Sequence, residues 1–264
     1  MNFSDYANLK FERIDRVLKI TLNRPDKLNS ISGEFHTEIA RVFPAVAADP
    51  GSDIVVLTGA GRAFSAGGDL AFLEKARSDP RVIYETLREV RAIVMGLLDC
   101  DKPIICRLNG DAIGLGATLA LFCDVIVAAD HSRIGDPHVR VGLVAGDGGA
   151  LIWPQLIGYA RAKQYLLTGD LVDALTAQQI GLITAAVPEA DLDQTVDEWI
   201  TKLTRNSPLA VRWTKATINT GLKQLAGTIL DTGVAYEGMS FRSDDLGESL
   251  NAIRDKRKPN FEGR

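Results

Sequence analysis

The stretch from Asn109 to Gly149, NGDAIGLGATLALFCDVIVAADHSRIGDPHVRVGLVAGDGG, constrains the chain more than any other. It reads as a glycine-rich turn, a buried helix, a short strand, and a second glycine-rich loop that opens another helix. Gly114 and Gly116 bracket Leu115, so backbone N–H groups there can point into a cavity at a helix N-terminus. His138 and Asp147 follow, nine residues apart, on the approach to the next helix. An N–H pocket beside a candidate base and its orienting partner suits stabilising and attacking an activated carbonyl.

The flanking segments supply an α/β frame. Val17–Asn23 alternates with Leu18, Ile20 and Leu22 on one face, and Ile54–Thr58 and Pro103–Leu108 read as buried strands. Pro25 keeps Asn23–Asn29 out of helix, and Ser32 caps a helix whose Phe35, Ile39, Val42 and Val46 share a face. Apolar positions 83, 87, 90, 94 and 97 describe an amphipathic helix. Helices are expected over Ala150–Ile157, Ala160–Leu167, Thr176–Ile180 and Leu192–Leu203, with a strand near Ile183–Val187 and only helix after Pro208.

Composition narrows the partners. With 264 residues, 46% of them hydrophobic, one large core is affordable. A net charge of −4 with mixed signs lacks the clustered Lys/Arg of a nucleic-acid surface. No apolar run approaches the roughly 20 residues that span a bilayer. The N-terminus is charged where a signal peptide is apolar, and Cys100, Cys106 and Cys123 have no zinc-type spacing. A soluble cytoplasmic protein without a metal is expected.

The loop GAGRAFSAGGDL, Gly59 to Leu70, lacks the Lys–Ser/Thr of a phosphate loop and the spacing of a dinucleotide fingerprint. No serine sits in a G-x-S-x-G elbow. Read with NRPDKLNSIS, KPIICRLNGDAIGLGATLALFCDVIVAAD, LLTGDLVDALTAQQIGLI and KRKPNFEGR, however, it resembles the enoyl-CoA hydratase/isomerase (crotonase) superfamily over essentially the whole chain.

That resemblance implies a spiral of ββα repeats over residues 1–203 and a helical trimerisation region over 204–264, in trimers or dimers of trimers. It implies an acyl-CoA substrate, with CoA carried in by that substrate and no other cofactor. The oxyanion hole falls on the amides of Gly68 and Leu115. Lys27, Leu28, Ala66, Asp69 and Leu70 fall on the CoA path, and Gly114 and Thr118 beside the substrate.

The departures matter as much. The two glutamates that typical family hydratases use fall at Thr118 and His138, and a threonine hydroxyl is no base near neutral pH. A histidine titrates near ~6.5 and can serve there. His138 is therefore the candidate base, with Asp147 its orienter, although Asp147 in AGDGG also suits a helix N-cap. A His/Asp pair of this kind resembles the β-diketone hydrolases of the superfamily. C–C bond hydrolysis is thus the alternative to enoyl-CoA hydration or isomerisation, and a non-catalytic acyl-CoA-binding paralogue a third reading. His36 and His131 are expected to be surface or structural residues, Asp111 a turn residue, and Glu237, on a late helix, a weaker candidate able to reach a pocket in a folded trimer.

Overall fold

The computed structural model describes residues 3–264. Strands β1 (Leu9–Ile14) and β2 (Val17–Leu22) form a hairpin through Asp15, which takes a positive φ of 52°. Helix α1 (Gly33–Ala47) leads to β3 (Ile54–Gly59), α2 (Leu70–Ser78), α3 (Pro80–Asp99) and β4 (Ile104–Leu108). There follow β5 (Ala112–Ile113), α4 (Leu115–Leu121), β6 (Val125–Ala129), β7 (Arg133–Gly135), α5 (Gly149–Thr168) and β8 (Val172–Asp173). The chain closes with α6 (Ala174–Gln179), β9 (Ala185–Val187), α7 (Leu192–Thr204), α8 (Pro208–Ser240) and α9 (Asp244–Arg254).

Six strands make one sheet in the order β1-β2-β3-β4-β6-β9, parallel except for the hairpin. A smaller sheet, β5-β7-β8, carries the loops of the site. Alternation in β2 sends Leu18, Ile20 and Leu22 into the main core, whereas β3 is buried on both faces. One face packs Phe35, Phe43, Leu97, Leu119 and Trp153. The other packs Val56, Ile105 and Val127 under Leu192 and Val196 of α7. Each such fully buried aliphatic side chain contributes about 1.5–3 kcal/mol.

Local signals act where the sequence places them. Ser32 Oγ accepts from the Phe35 amide at the head of α1, and Asp79 caps α3 with Pro80 at its first position. Gly158 (φ 76°) breaks α5 into the two expected segments. No helix among the described residues is long and apolar enough to cross a membrane.

The C-terminal helices fold onto their own core. Ala226, Leu230, Gly233 and Glu237 of α8 are buried, and Lys215 donates to Asp124 and to the Lys102 carbonyl at 2.7 and 2.8 Å. Asn219 donates to the Leu98 carbonyl. Gly233 meets Gly146 so closely that a Cβ on Gly146 would strike both the Gly233 carbonyl and Glu237. That backbone-to-backbone crossing lets a residue of α8 reach the loop ahead of α5.

Candidate active site

The site begins with two loops lying side by side. Ser65 and Ala112 form an isolated parallel bridge, with Ser65 N–H donating to the Asp111 carbonyl and Ile113 N–H to that of Ser65. On its other side the first loop is pinned by Ile31 N–H to Gly67 O and by Asp69 N–H to Ile31 O. This pairing uses residues 67 and 69 and skips the Gly68 amide between them. Gly114, at φ 55°, turns the second loop into α4 and leaves the Leu115 amide as a first-turn orphan. Neither the Gly68 nor the Leu115 amide donates a hydrogen bond among the described residues. A Cβ placed on Gly114 would lie 4.0 Å from Gly67 Cα and 3.4 Å from His138 Cε1. Gly114 and Gly67, the residues that precede the two amides, therefore lie beside the imidazole ring.

His138 starts a short 3-10 turn (His138–Val141) just after β7. Its Nδ1 contacts Asp136 Oδ1, and its Nε2 lies 3.7 Å from Asp147 Oδ2. Asp147 Oδ1 accepts from the Thr118 hydroxyl at 3.1 Å. Asp136, Asp147 and Glu237 are each at most 4% exposed, and Asp136 Oδ2, Asp147 Oδ2 and Glu237 Oε2 have no hydrogen-bond partner among the described residues. The distance of 3.7 Å is too long for a direct hydrogen bond and suits a bridging water or substrate atom.

Burial sets the electrostatics. It pulls the His138 ring toward neutrality, but Asp136 and Asp147, with Glu237 behind them, outweigh it and hold the imidazolium well above the usual histidine range. Burial raises Asp147, an effect only partly opposed by His138, the Thr118 hydroxyl and the Gly149 amide. Glu237 is pushed up to about 8, first by burial and then by Asp147, so it is mostly protonated at pH 7. The resting ring is thus a proton donor as well as a prospective base. Asp136, His138 and Asp147 also each place a donor atom within 4.8 Å of one another, a nitrogen-and-carboxylate set compatible with a divalent cation. The Asp136–His138 contact already engages one of those nitrogens.

Comparison with known proteins places this geometry. The family model described as "Enoyl-CoA hydratase/isomerase" matches residues 12–264. The chain belongs to the enoyl-CoA hydratase/isomerase family. It is 32% identical to a crotonyl-CoA hydratase of Syntrophomonas wolfei, over 97% of this chain and 98% of that one. It superposes with TM-score 0.90 on an enoyl-CoA hydratase/isomerase from Mycobacterium paratuberculosis, at 35% identity over 93% of this chain and 98% of that one. A β-diketone hydrolase from the cyanobacterium Anabaena, bound to (S)-3-oxocyclohexyl acetic acid, superposes with TM-score 0.84 at 28% identity, over 91% and 96% of the two chains.

Within the family frame, the expectation that Asp147 orients His138 needs correction. Asp147 does not sit on His138 Nδ1; Asp136, which sequence reasoning passed over, does, and Asp147 faces the opposite nitrogen. The reason is that Thr118 and the start of α5 hold Asp147 across the pocket. The N-cap of α5 is Gly148, without a side-chain cap. Glu237 reaches the cluster within its own chain, because α8 folds back on the core. The Asp-Pro-His spacing was the available signal for Asp136: its Oδ1 also accepts from the His138 amide at 3.4 Å, a local turn that short acidic side chains favour.

The other residues singled out from the sequence have the following surroundings. Lys27 is exposed at the end of a 3-10 turn, and the half-buried Leu28, in left-handed conformation, accepts the Ala66 amide through its carbonyl. Asp69 caps α2, accepting from Ala71 N–H, and Leu70 is exposed. His36 is buried and paired with Glu89, a structural role; His131 is exposed. Asp111 accepts from the Arg133 amide and pairs with its guanidinium.

Proposed function

We propose that this family member moves protons at Cα of an acyl-CoA thioester, in an enoyl-CoA hydratase or isomerase reaction. The observation that carries the reading is the adjacency of two free amides to an acid–base pair 3.7 Å apart. The thioester carbonyl accepts the Gly68 and Leu115 N–H groups, and each such donor stabilises an enolate oxygen by roughly 3 kcal/mol. In hydration, Asp147 Oδ2 takes a proton from water as its oxygen bonds to Cβ, and the π electrons move to the thioester oxygen. The enolate then collapses and Cα takes the proton of His138 Nε2. A proton passing from Asp147 to Nε2 through a bridging water restores the resting state. This division of labour needs no carboxylate at Thr118, whose hydroxyl instead steadies Asp147. CoA would run past Lys27 and Leu28 along Ala66, Asp69 and Leu70, with Gly114 and Thr118 at the acyl end. The reaction requires no cofactor beyond it.

Support comes also from the hydratase names of the relatives. The likeness to the β-diketone hydrolase, together with the buried His/carboxylate cluster, favours C–C bond hydrolysis as a second reading. Assay of purified protein against crotonyl-CoA, longer enoyl-CoAs and a CoA-free cyclic β-diketone separates them. Turnover confined to acyl-CoA supports the proposal, turnover confined to the diketone installs the alternative, and no turnover of any leaves a binding protein.

We further place the working protein in a trimer or a dimer of trimers. The outward side of α8 exposes Trp213, Ile218, Tyr236 and Met239, beside an apolar groove of about 640 Å³ lined by Phe122, Ile152, Leu156 and Ile218. A second copy would cover both. Light scattering should return three or six times the 28.6 kDa of one chain, and a monomer at micromolar concentration would refute the assembly. The three unpaired buried cysteines accord with a reducing cytoplasmic compartment, which cell fractionation would check.

A further inference from the structure

We infer that Asp136 is the positioning residue that decides which nitrogen of His138 meets the substrate, by holding Nδ1–H and turning Nε2 toward Asp147 and the Gly114 loop. The inference rests on the proposed acid–base reading for its consequence in turnover, but its structural content is independent of any substrate.

The carboxylate is built into its place. Asp136 follows directly on β7, and the next residue, Pro137, restricts its backbone to extended conformations. Its Oδ1 lies on both the ring Nδ1 and the backbone N–H of His138. Its Oδ2 packs against Gly149 at the head of α5, where any Cβ would collide with it. The absence of a side chain at Gly149 is what leaves room for the carboxylate there. On its far edge the ring is bounded by Gly114, with a would-be Cβ 3.4 Å from Cε1. An imidazole so clamped has one free nitrogen, and it is Nε2.

The chemistry follows from the partners. A carboxylate only accepts hydrogen bonds, so Nδ1 must keep its proton in both charge states of the ring. Every proton the ring gains or loses then passes through Nε2. Three carboxyl groups face the ring: Asp136 at Nδ1, Asp147 at Nε2, and Glu237 from α8. Of these, Asp136 makes the direct contact and is among the groups that hold the ring charged. Asp147, freed from the orienting task, is available as the opposing base. A role for Asp136 that was only structural would set the shape of the loop but leave the tautomer to chance.

The test is ¹⁵N imidazole NMR on the full-length protein across a pH series, with His138→Ala identifying the His138 signals among three histidines. In the wild type, Nδ1 should remain protonated while Nε2 alone titrates, above the ordinary histidine range. In Asp136→Asn, the amide can donate to Nδ1, so the neutral ring should switch to the Nε2–H tautomer and titrate at lower pH. With an acyl-CoA that the wild type turns over, kcat should fall on the order of 10²–10⁴-fold, KM changing less than about threefold. Gly149→Ala, which pushes the carboxylate aside without altering any titratable group, should move the same signals in the same direction. A wild-type neutral ring protonated at Nε2 overturns the inference without any variant. So does a folded Asp136→Asn protein with wild-type tautomer and titration. If no acyl-CoA is turned over, the functional reading fails while the tautomer result still decides this one.

Discussion

Replacing His138 with alanine is expected to lower kcat on the best acyl-CoA substrate by about 10²–10⁴-fold, the range for losing a general acid or base. The scaffold should survive, because the ring is a pocket residue 15% exposed and not part of the packed core. Asp147→Asn removes the opposing base and should cost a comparable factor. Because the two groups act on one proton path, the double variant should be little worse than either alone. The wild-type pH–rate profile gives a second signature. Activity needs Asp147 ionised, and burial raises its titration, so the acidic limb should lie above the ordinary aspartate range. Activity also needs His138 protonated, and its neighbours hold it charged well above the ordinary histidine range, so its deprotonation gives the alkaline limb. Glu237 titrates at about 8 in the same cluster, so the alkaline limb belongs to the coupled set of groups. His138→Ala should abolish the His-dependent limb. Full activity in His138→Ala, measured on the same substrate, would remove this mechanism altogether.

The second large effect is expected at a backbone amide. Gly68→Pro deletes the N–H and should reduce turnover about 10²–10³-fold, the cost of one oxyanion donor. The amide makes no hydrogen bond inside the fold, so no internal bond is lost with it. Gly68→Ala is the matched control: its Cβ would meet Leu73 at an ordinary 3.6 Å while the amide stays. That variant should keep most of the activity, as should Leu115→Ala, which also retains its N–H. Circular dichroism melts of the two Gly68 variants should agree within a few degrees, whereas Leu115→Ala, which empties part of the packed core, should melt lower. If Gly68→Ala or Leu115→Ala loses as much as Gly68→Pro, these positions act through packing and the two-amide hole is wrong.

Much of this protein was legible in one dimension. Alternation at Leu18, Ile20 and Leu22, the Ser32 cap and the spacing from Ile83 to Leu97 are local facts of periodicity and hydrogen-bond supply. The motifs around Gly68 and Leu115 identified the family, and neither amide donates a hydrogen bond among the described residues. Strand β1 was missed because it is an edge strand with one buried residue, and its Leu9/Phe11 alternation breaks at Arg13 and Ile14. The catalytic cluster divides along the same line. His138 and Asp147 could be named from sequence, since residue type and local context suffice to nominate a titrating pair. Which nitrogen each carboxylate faces could not, because ring orientation depends on the walls supplied by Gly114 and Gly149. Glu237 joined the cluster only through the close crossing of α8 over Gly146, a contact between distant parts of the chain. The charge states came last of all. Glu237 stays neutral because burial strips its water, whereas His138 stays protonated against burial because Asp136 and Asp147 face it, and only the folded chain assembles that balance.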